Sequence, residues 1–345
     1  MKTKIILLVA IGFMTLNIQA QRVVALHSPT NGVQFFADDH PFQTAYAAAV
    51  DNDTIYLPGG SMLMPAVFEK KLTIYGAGHY PSATTATYPT KLSGDFTLSD
   101  EADGFYLEGV EITGNLVFQD NESINNVTIK RCKIDGSYGI NIQGDRTNPA
   151  ENNVFIENII HTLRITNLLN SQFFNNIIER TVNEARNITF LNNDFIHNGS
   201  AYGYVIGYAN GCMFKNNVFR KHYEDYRICQ GAGTSTWSYN IFVSANPTLG
   251  SNPVTSNNYQ VNPWTDIFVN VADVDNFDYN SDYHLQDPTT YVGDDATPVG
   301  IYGGYYPWKT ESIPVNPHIS SENISNTSDS NGMIHIDMNV HAQDR

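Results

Sequence analysis

The sequence predicts an all-β chain wound into a parallel β-helix, and three observations carry that prediction. A six-residue pattern, aromatic-x-x-Asn-x-apolar, recurs five times between residues 155 and 242. Its period is too short for pairs of helices. The residues that fill it, Ile, Val, Phe and Asn, favour strands and bends over helix.

The five copies are Phe155 to Ile160, Phe173 to Ile178, Phe190 to Phe195, Phe214 to Phe219 and Trp237 to Phe242. Their common asparagines are Asn158, Asn176, Asn193, Asn217 and Asn240, separated by 18, 17, 24 and 23 residues. Upstream, Cys132 and Gly109 are expected in the same slot. Fixed apolar positions at this period mean one supersecondary unit per repeat, stacked on its neighbours. The aromatic residue and the last apolar residue then share one interior, and the polar residues between them face out. Asn suits a sharp bend because it tolerates left-handed backbone, and its amide can bond to the coils above and below. These asparagines are therefore expected to form a structural ladder and are not candidates for chemistry.

With this coil period and asparagine ladder, the chain resembles the pectate-lyase-like right-handed parallel β-helix superfamily over roughly residues 50–305. The resemblance implies three parallel strands per coil. A second strand can be aligned through Tyr202 to Gly211 and Glu224 to Gly233. Ile142, Ile165, Val182, Ile206 and Ile228 are expected to stack inward there. Their neighbours, Asn141 and Gln143, Arg164 and Thr166, Thr181 and Asn183, Val205 and Gly207, Arg227 and Cys229, should then face solvent.

A solenoid needs capped ends. Pro41 opens a helical stretch through Val50, with Phe42, Ala45 and Ala49 on one side and Asp38, Asp39 and His40 placed to cap it. Asp53 to Gly60 and Leu72 to Gly76 read as the first strands. Beyond Pro263 the pattern fades into a last coil and a closing turn, Gly300-Ile-Tyr-Gly-Gly304. Tyr283-His-Leu, that turn and the Pro-rich exit resemble secreted β-helix proteins of Bacteroidetes, a likeness that implies no activity. Residues 309–345 read as a linker followed by one alternating strand, Met333 to Val340, that pairs with an exposed edge or a partner.

Lys2 and Lys4, an apolar run from Ile5 to Leu16 and small residues up to Ala20 have the order of a secretory signal peptide. Residues 1–20 are thus expected to be removed, 21–308 to form the capped β-helix and 309–345 the tail. The mature chain should be exported to the cell surface, periplasm or medium. No later stretch approaches the roughly 18 apolar residues of a membrane helix, so no transmembrane segment is expected.

The formal charge is −16, and losing Lys2 and Lys4 makes it −18. Such a surface repels nucleic acid, which needs a basic face. The three cysteines, Cys132, Cys212 and Cys229, allow at most one disulfide, so stability must come from the core. They lack any close C-x-x-C pair and are not expected to bind metal.

For chemistry, β-helix hydrolases of the resembled superfamily use clustered aspartates; the sequence contains no Asn-Thr-Asp, Gly-His-Gly or Arg-Ile-Lys. Its lyases use a carboxylate-bound Ca2+ and an Arg or Lys that removes a proton next to a carboxylate. The densest ionisable segment, Arg220 to Arg227, supplies the candidate catalytic residues on that reading: Arg227, Asp225, His222 and Tyr223. Ca2+ would be the cofactor if the protein is a lyase, and the sequence assigns no metal ligands. Candidate contacts to a polysaccharide are Arg164, Asn141, Thr166, Asn183, Lys221 and Trp308, the last as an exposed aromatic beside Tyr302, Tyr305 and Tyr306. Tyr204 and Tyr226 share parity with inward isoleucines and are expected in the core. With the known catalytic signatures missing, the expected function is non-catalytic binding of a glycan or an extracellular partner. The alternative is a divergent polysaccharide lyase.

Overall fold

A computed structural model describes residues 22–144, 146–197, 203–221, 225–231, 233–271 and 276–342. The expected signal peptide, His222 and Tyr223 lie outside the described residues. The chain is a parallel β-solenoid of about nine turns, with one helix among the described residues.

Each coil visits three faces. One is a twelve-stranded sheet running from the N-terminal hairpin Val24–Ser28 and Gly32–Phe36 to Val254–Ser256. The second is a ten-stranded sheet from Gly60–Leu63 to Tyr259–Gln260. The third holds Phe96–Leu98, Leu116–Phe118, Ile140–Ile142 and Leu163–Arg164, and continues through single bridges Leu163 to Val182 to Ile206 to Cys229. The repeat sets the register of the first two sheets. Phe155, Phe173, Phe190, Phe214 and Trp237 pair in order, and their rings stack with centroids 4.5, 5.1, 5.0 and 3.9 Å apart. All five are fully buried, each worth about 2–3 kcal/mol of transfer free energy.

The asparagine ladder forms as the repeat predicts. Asn158 Nδ2 donates to Asn176 Oδ1 (3.0 Å) and to Ile129 O (2.9 Å), and the same pattern runs through Asn193, Asn217 and Asn240. It ends one rung later, at Asn258, which the sequence pattern misses because Thr255 replaces the aromatic residue. Cys132 occupies the slot, its amide donating to Asn158 Oδ1; Val110, not Gly109, lies before it, since Glu111 pairs with Lys133.

The bend itself sits one residue before the rung. Gly109, Arg131, Glu157, Asn175, Asn192, Asn216, Tyr239 and Asn257 all have positive φ, between 49° and 77°. In the Asn-Asn doublets the first residue thus takes the left-handed turn that Asn tolerates, and the second turns its amide inward.

The helix is Pro41–Ala48, shorter than expected, with Phe42 and Ala45 buried against the first coils. His40 precedes Pro41 without a side-chain cap bond. The hairpin at residues 24–36, not foreseen, joins the helix in closing this end; Val24 and Leu26 are buried.

Residues 264–271 and 276–315 correct the expectation of a last coil. They form a strap that runs back along the outside of the solenoid. Gly300 N donates to Asn216 O, Asn192 Nδ2 donates to Gly300 O, and Asn175 Nδ2 donates to Ile301 O and Gly303 O (2.8 Å each). Further on, Lys309 N donates to Glu157 Oε2, Arg131 Nη1 to Ile313 O, and Val315 N to Glu108 Oε1. From Asp294 to Val315 the coils it touches recede, from Lys215 and Asn216 back to Glu108. The left-handed corner residues are its docking points, and a Cβ on Gly109 would lie 2.0 Å from Pro314.

The tail is also corrected. Ile336–His341 pairs antiparallel with His318–Ile324, a segment expected to be linker, so the tail is a hairpin within the chain.

Candidate functional site

The third face supplies the surface that the sequence pointed to, with a changed register. Ile140 pairs with Leu163, and Leu163, Val182, Ile206 and Cys229 follow. The outward column one residue on therefore reads Asn141, Arg164, Asn183, Gly207 and Gln230. Three candidate contact residues, Asn141, Arg164 and Asn183, stand side by side in successive coils. Thr166 lies two residues beyond Arg164 and is half-buried. Val205 and Cys229, expected outward, are buried.

Arg227 does not share Arg164's column. It lies two residues before Cys229, level with Tyr204, which lies two before Ile206, and with Tyr138, two before Ile140. This row explains the face. Arg164 stacks over the Tyr138 ring at 4.3 Å, and Arg227 lies 5.7 Å from the Tyr204 ring and 5.6 Å from that of Tyr226. Arg227 Nε also donates to Tyr226 Oη at 3.2 Å. Alongside, Arg186 stacks on Tyr208 at 4.9 Å, and Glu184 accepts from both Arg186 and Arg146. Tyr138 and Tyr226 are 47% and 39% exposed, so the rings are open to solvent. Tyr204 is half-buried and Tyr226 exposed, and neither belongs to the core as parity had suggested, because each is followed by two successive buried residues, Val205-Ile206 and Ile228-Cys229, which break the alternation.

Arg164 is the focus of this surface. Its side chain makes no hydrogen bond or ion pair with a described residue, and the ring fixes the plane of its guanidinium. A guanidinium held this way is less solvated than an ammonium and can present two parallel donors to a carboxylate or a diol. Glu184, by contrast, neutralises the pair beside it.

Two expected contact residues are elsewhere. Lys221 is 1% exposed and donates to Gly203 O at 2.7 Å; its stem is enclosed at the corner where the ten-stranded sheet turns to the third face. Trp308 belongs to the strap and is buried on its inner side with Ile301, Val299 and Tyr283, against the Ile159, Ile177 and Val218 row. Its neighbours Tyr305 and Tyr306 are exposed, but on the strap and not on the arginine-bearing face. Asp225 is half-buried at the entry to the strand that carries Arg227. Among the described residues no group of three or more His, Cys, Asp or Glu is placed to hold a metal ion.

The sequence reading missed Tyr138, Arg186, Tyr208, Glu184 and Arg146. The first had a usable signal: Tyr138 and Tyr204 each precede an inward isoleucine by two residues.

No protein-family model, curated protein or solved structure matches the chain. No helix among the described residues is long and apolar enough to cross a membrane.

Proposed function

We propose that the protein is an exported, non-catalytic β-helix that binds glycan on its third face. The observation that carries this reading is Arg164: a guanidinium clamped on an exposed tyrosine, without an ionic partner among the described residues, between half-buried Asn141 and exposed Asn183. Aromatic rings with flanking planar donors suit a sugar, whose C–H face packs on a ring while its hydroxyls bond at the edge. Export is supported by the basic and apolar order of residues 1–20. Three parallel faces and an asparagine ladder support kinship with the pectate-lyase-like right-handed β-helices.

The test uses the mature chain from Gln21 on a glycan array, followed by calorimetry on the best ligand. Wild type should bind, and Arg164→Ala and Tyr138→Ala should each weaken binding about tenfold or more while leaving unfolding unchanged. Retained affinity in both variants would overturn the site.

The second reading, a divergent polysaccharide lyase, is favoured by Arg227 lying beside exposed Tyr226 and near Asp225. Absorbance of unsaturated sugars released from acidic polysaccharide, with and without Ca2+, and abolished by Arg227→Ala, would establish it in place of the binder.

A further inference from the structure

The outward column of the ten-stranded sheet changes character along the solenoid. Lys91, Glu111 and Lys133 occupy its early coils, and then Ile159, Ile177, Asp194, Val218 and Ile241 follow in register. The strap covers the later part, and all five of these residues are buried. Asp194 is the one ionisable member of that apolar row. Neither of its carboxyl oxygens has a hydrogen-bond partner among the described residues. Above it lies Gly300, where an added Cβ would be 2.6 Å from Asp194 Oδ1, so the carboxyl group is pressed against the strap backbone.

We propose that Asp194 is a proton-operated latch for the strap: as the neutral acid it lets residues 293–308 lie on the sheet, and as the carboxylate it drives them off.

The groups facing Asp194 leave its charge unmatched. From its own sheet these are Ile177 and Val218, and from the corner Asn192 and Asn216, whose amides hold the strap. From the strap they are Gly300, Ile301 and Tyr302. Tyr302 is itself acidic; burial, followed by the nearby carboxyls of Asp194 and Asp282, holds its phenol neutral. Beyond it His284 stacks on the Tyr302 ring at 3.6 Å and pairs with Asp282, and Lys215 pairs with Asp294 one coil away. Burial pushes the Asp194 acid well above the usual carboxylate range, and the Ile301 backbone N–H, close by but outside hydrogen-bond geometry, offsets only part of that. An acid whose pKa is raised on docking stabilises the docked form fully below its undocked pKa and loses that contribution as pH rises through its docked pKa. The loss is about tenfold in the docking equilibrium per pH unit while the group binds its proton only in the docked form.

The inference does not depend on the glycan reading. The test is hydrogen exchange on the full mature chain, corrected for intrinsic rates, from pH 5 to pH 9. In wild type, protection of residues 298–308 should fall by about tenfold or more as pH rises, while the buried amides around Phe190 and Phe214 keep theirs. Asp194→Asn should hold the strap at every pH, and Asp194→Val, which continues the Ile177 and Val218 row, should do the same should the amide fold poorly. The Asp282–His284 pair is present in all three proteins, so the difference between them isolates Asp194. A wild-type strap as insensitive to pH as the variants, or core amides opening together with the strap, would overturn the latch.

Discussion

Two outward faces of the same solenoid differ in what covers them. On the third face the outward column holds half-buried Asn141 and Arg164 and exposed Asn183, with no strap over it. On the ten-stranded sheet, the equivalent outward column is Ile159, Ile177, Val218 and Ile241, and it is buried under the strap in a second core with Val299, Ile301 and Trp308. Both faces are built from the same coils with the same alternation, so strand parity separates inward from outward and says nothing about wet or dry. What distinguishes them is the side chain in the outward slot, and the strap goes where that slot is apolar. The third face is therefore left open to solvent, and the ten-stranded one is covered by the strap.

The comparison breaks most severely at the inner rung of the corner. Asn176→Ala removes the acceptor of Asn158 N and Nδ2 and the donor to Phe155 O, leaving buried polar groups unmet. At about 1–3 kcal/mol for each unsatisfied group, a loss of about 3–5 kcal/mol is expected, read by denaturant unfolding. An unchanged midpoint would show that the ladder is dispensable.

The next effect is acid-driven and global. Burial, with Lys133 nearby, lowers the pKa of His79 to about 3, and burial, with Lys221 and then Arg180 nearby, lowers that of His197 to about 4. A base whose folded pKa is depressed is stabilising above its unfolded value and loses that contribution as pH falls. Stability should thus decline from about pH 6.5 down to about pH 3, in the direction opposite to Asp194, giving an optimum at mildly acidic pH. His79→Gln should flatten the acid side; an unaltered slope would remove His79 from the account.

A smaller effect is expected at the outer residue of the same corner. Asn175→Ala loses two hydrogen bonds to the strap, about 1 kcal/mol each, and should loosen residues 298–308 while the coils hold. Smallest is Arg164→Ala, where the stacked pair contributes about 0.5–1 kcal/mol. Unfolding should barely move while glycan binding falls, and a stability loss above about 2 kcal/mol would make Arg164 structural.

Much of the fold was legible because the repeat is strict where it faces the core. Phe155, Phe173, Phe190, Phe214 and Trp237 must stack at one level, and the rung must be a side chain that both donates and accepts, so the sequence holds a fixed pattern there. The strap was not legible for the opposite reason. It docks through backbone groups and glycines, which leave no periodic mark, and its partners Asn175 and Asn192 were covered only by the expectation that the polar residues between the aromatic and the last apolar position face out. The doublets Ile159-Ile160 and Ile177-Ile178 did carry a signal, since two successive apolar residues in a strand need cover on both sides. On the candidate face, the outward register of Asn141, Arg164 and Asn183 was readable from parity. Trp308 and Lys221 were misplaced because aromatic or charged character was taken to mean exposure, while a strap and a tight corner enclosed them. Tyr138 was missed because a lone tyrosine gains meaning only when the register brings Arg164 over it.

The central claim is that neighbouring asparagines at one corner do separate work, one holding the strap and the next holding the coils. Residue-resolved hydrogen exchange on Asn175→Ala and Asn176→Ala, compared with wild type, tests it most directly. The account predicts that the first variant speeds exchange in residues 298–308 alone, and that the second also speeds it at Asn158, Ile177 and their paired strands. Two variants with the same exchange map would contradict it.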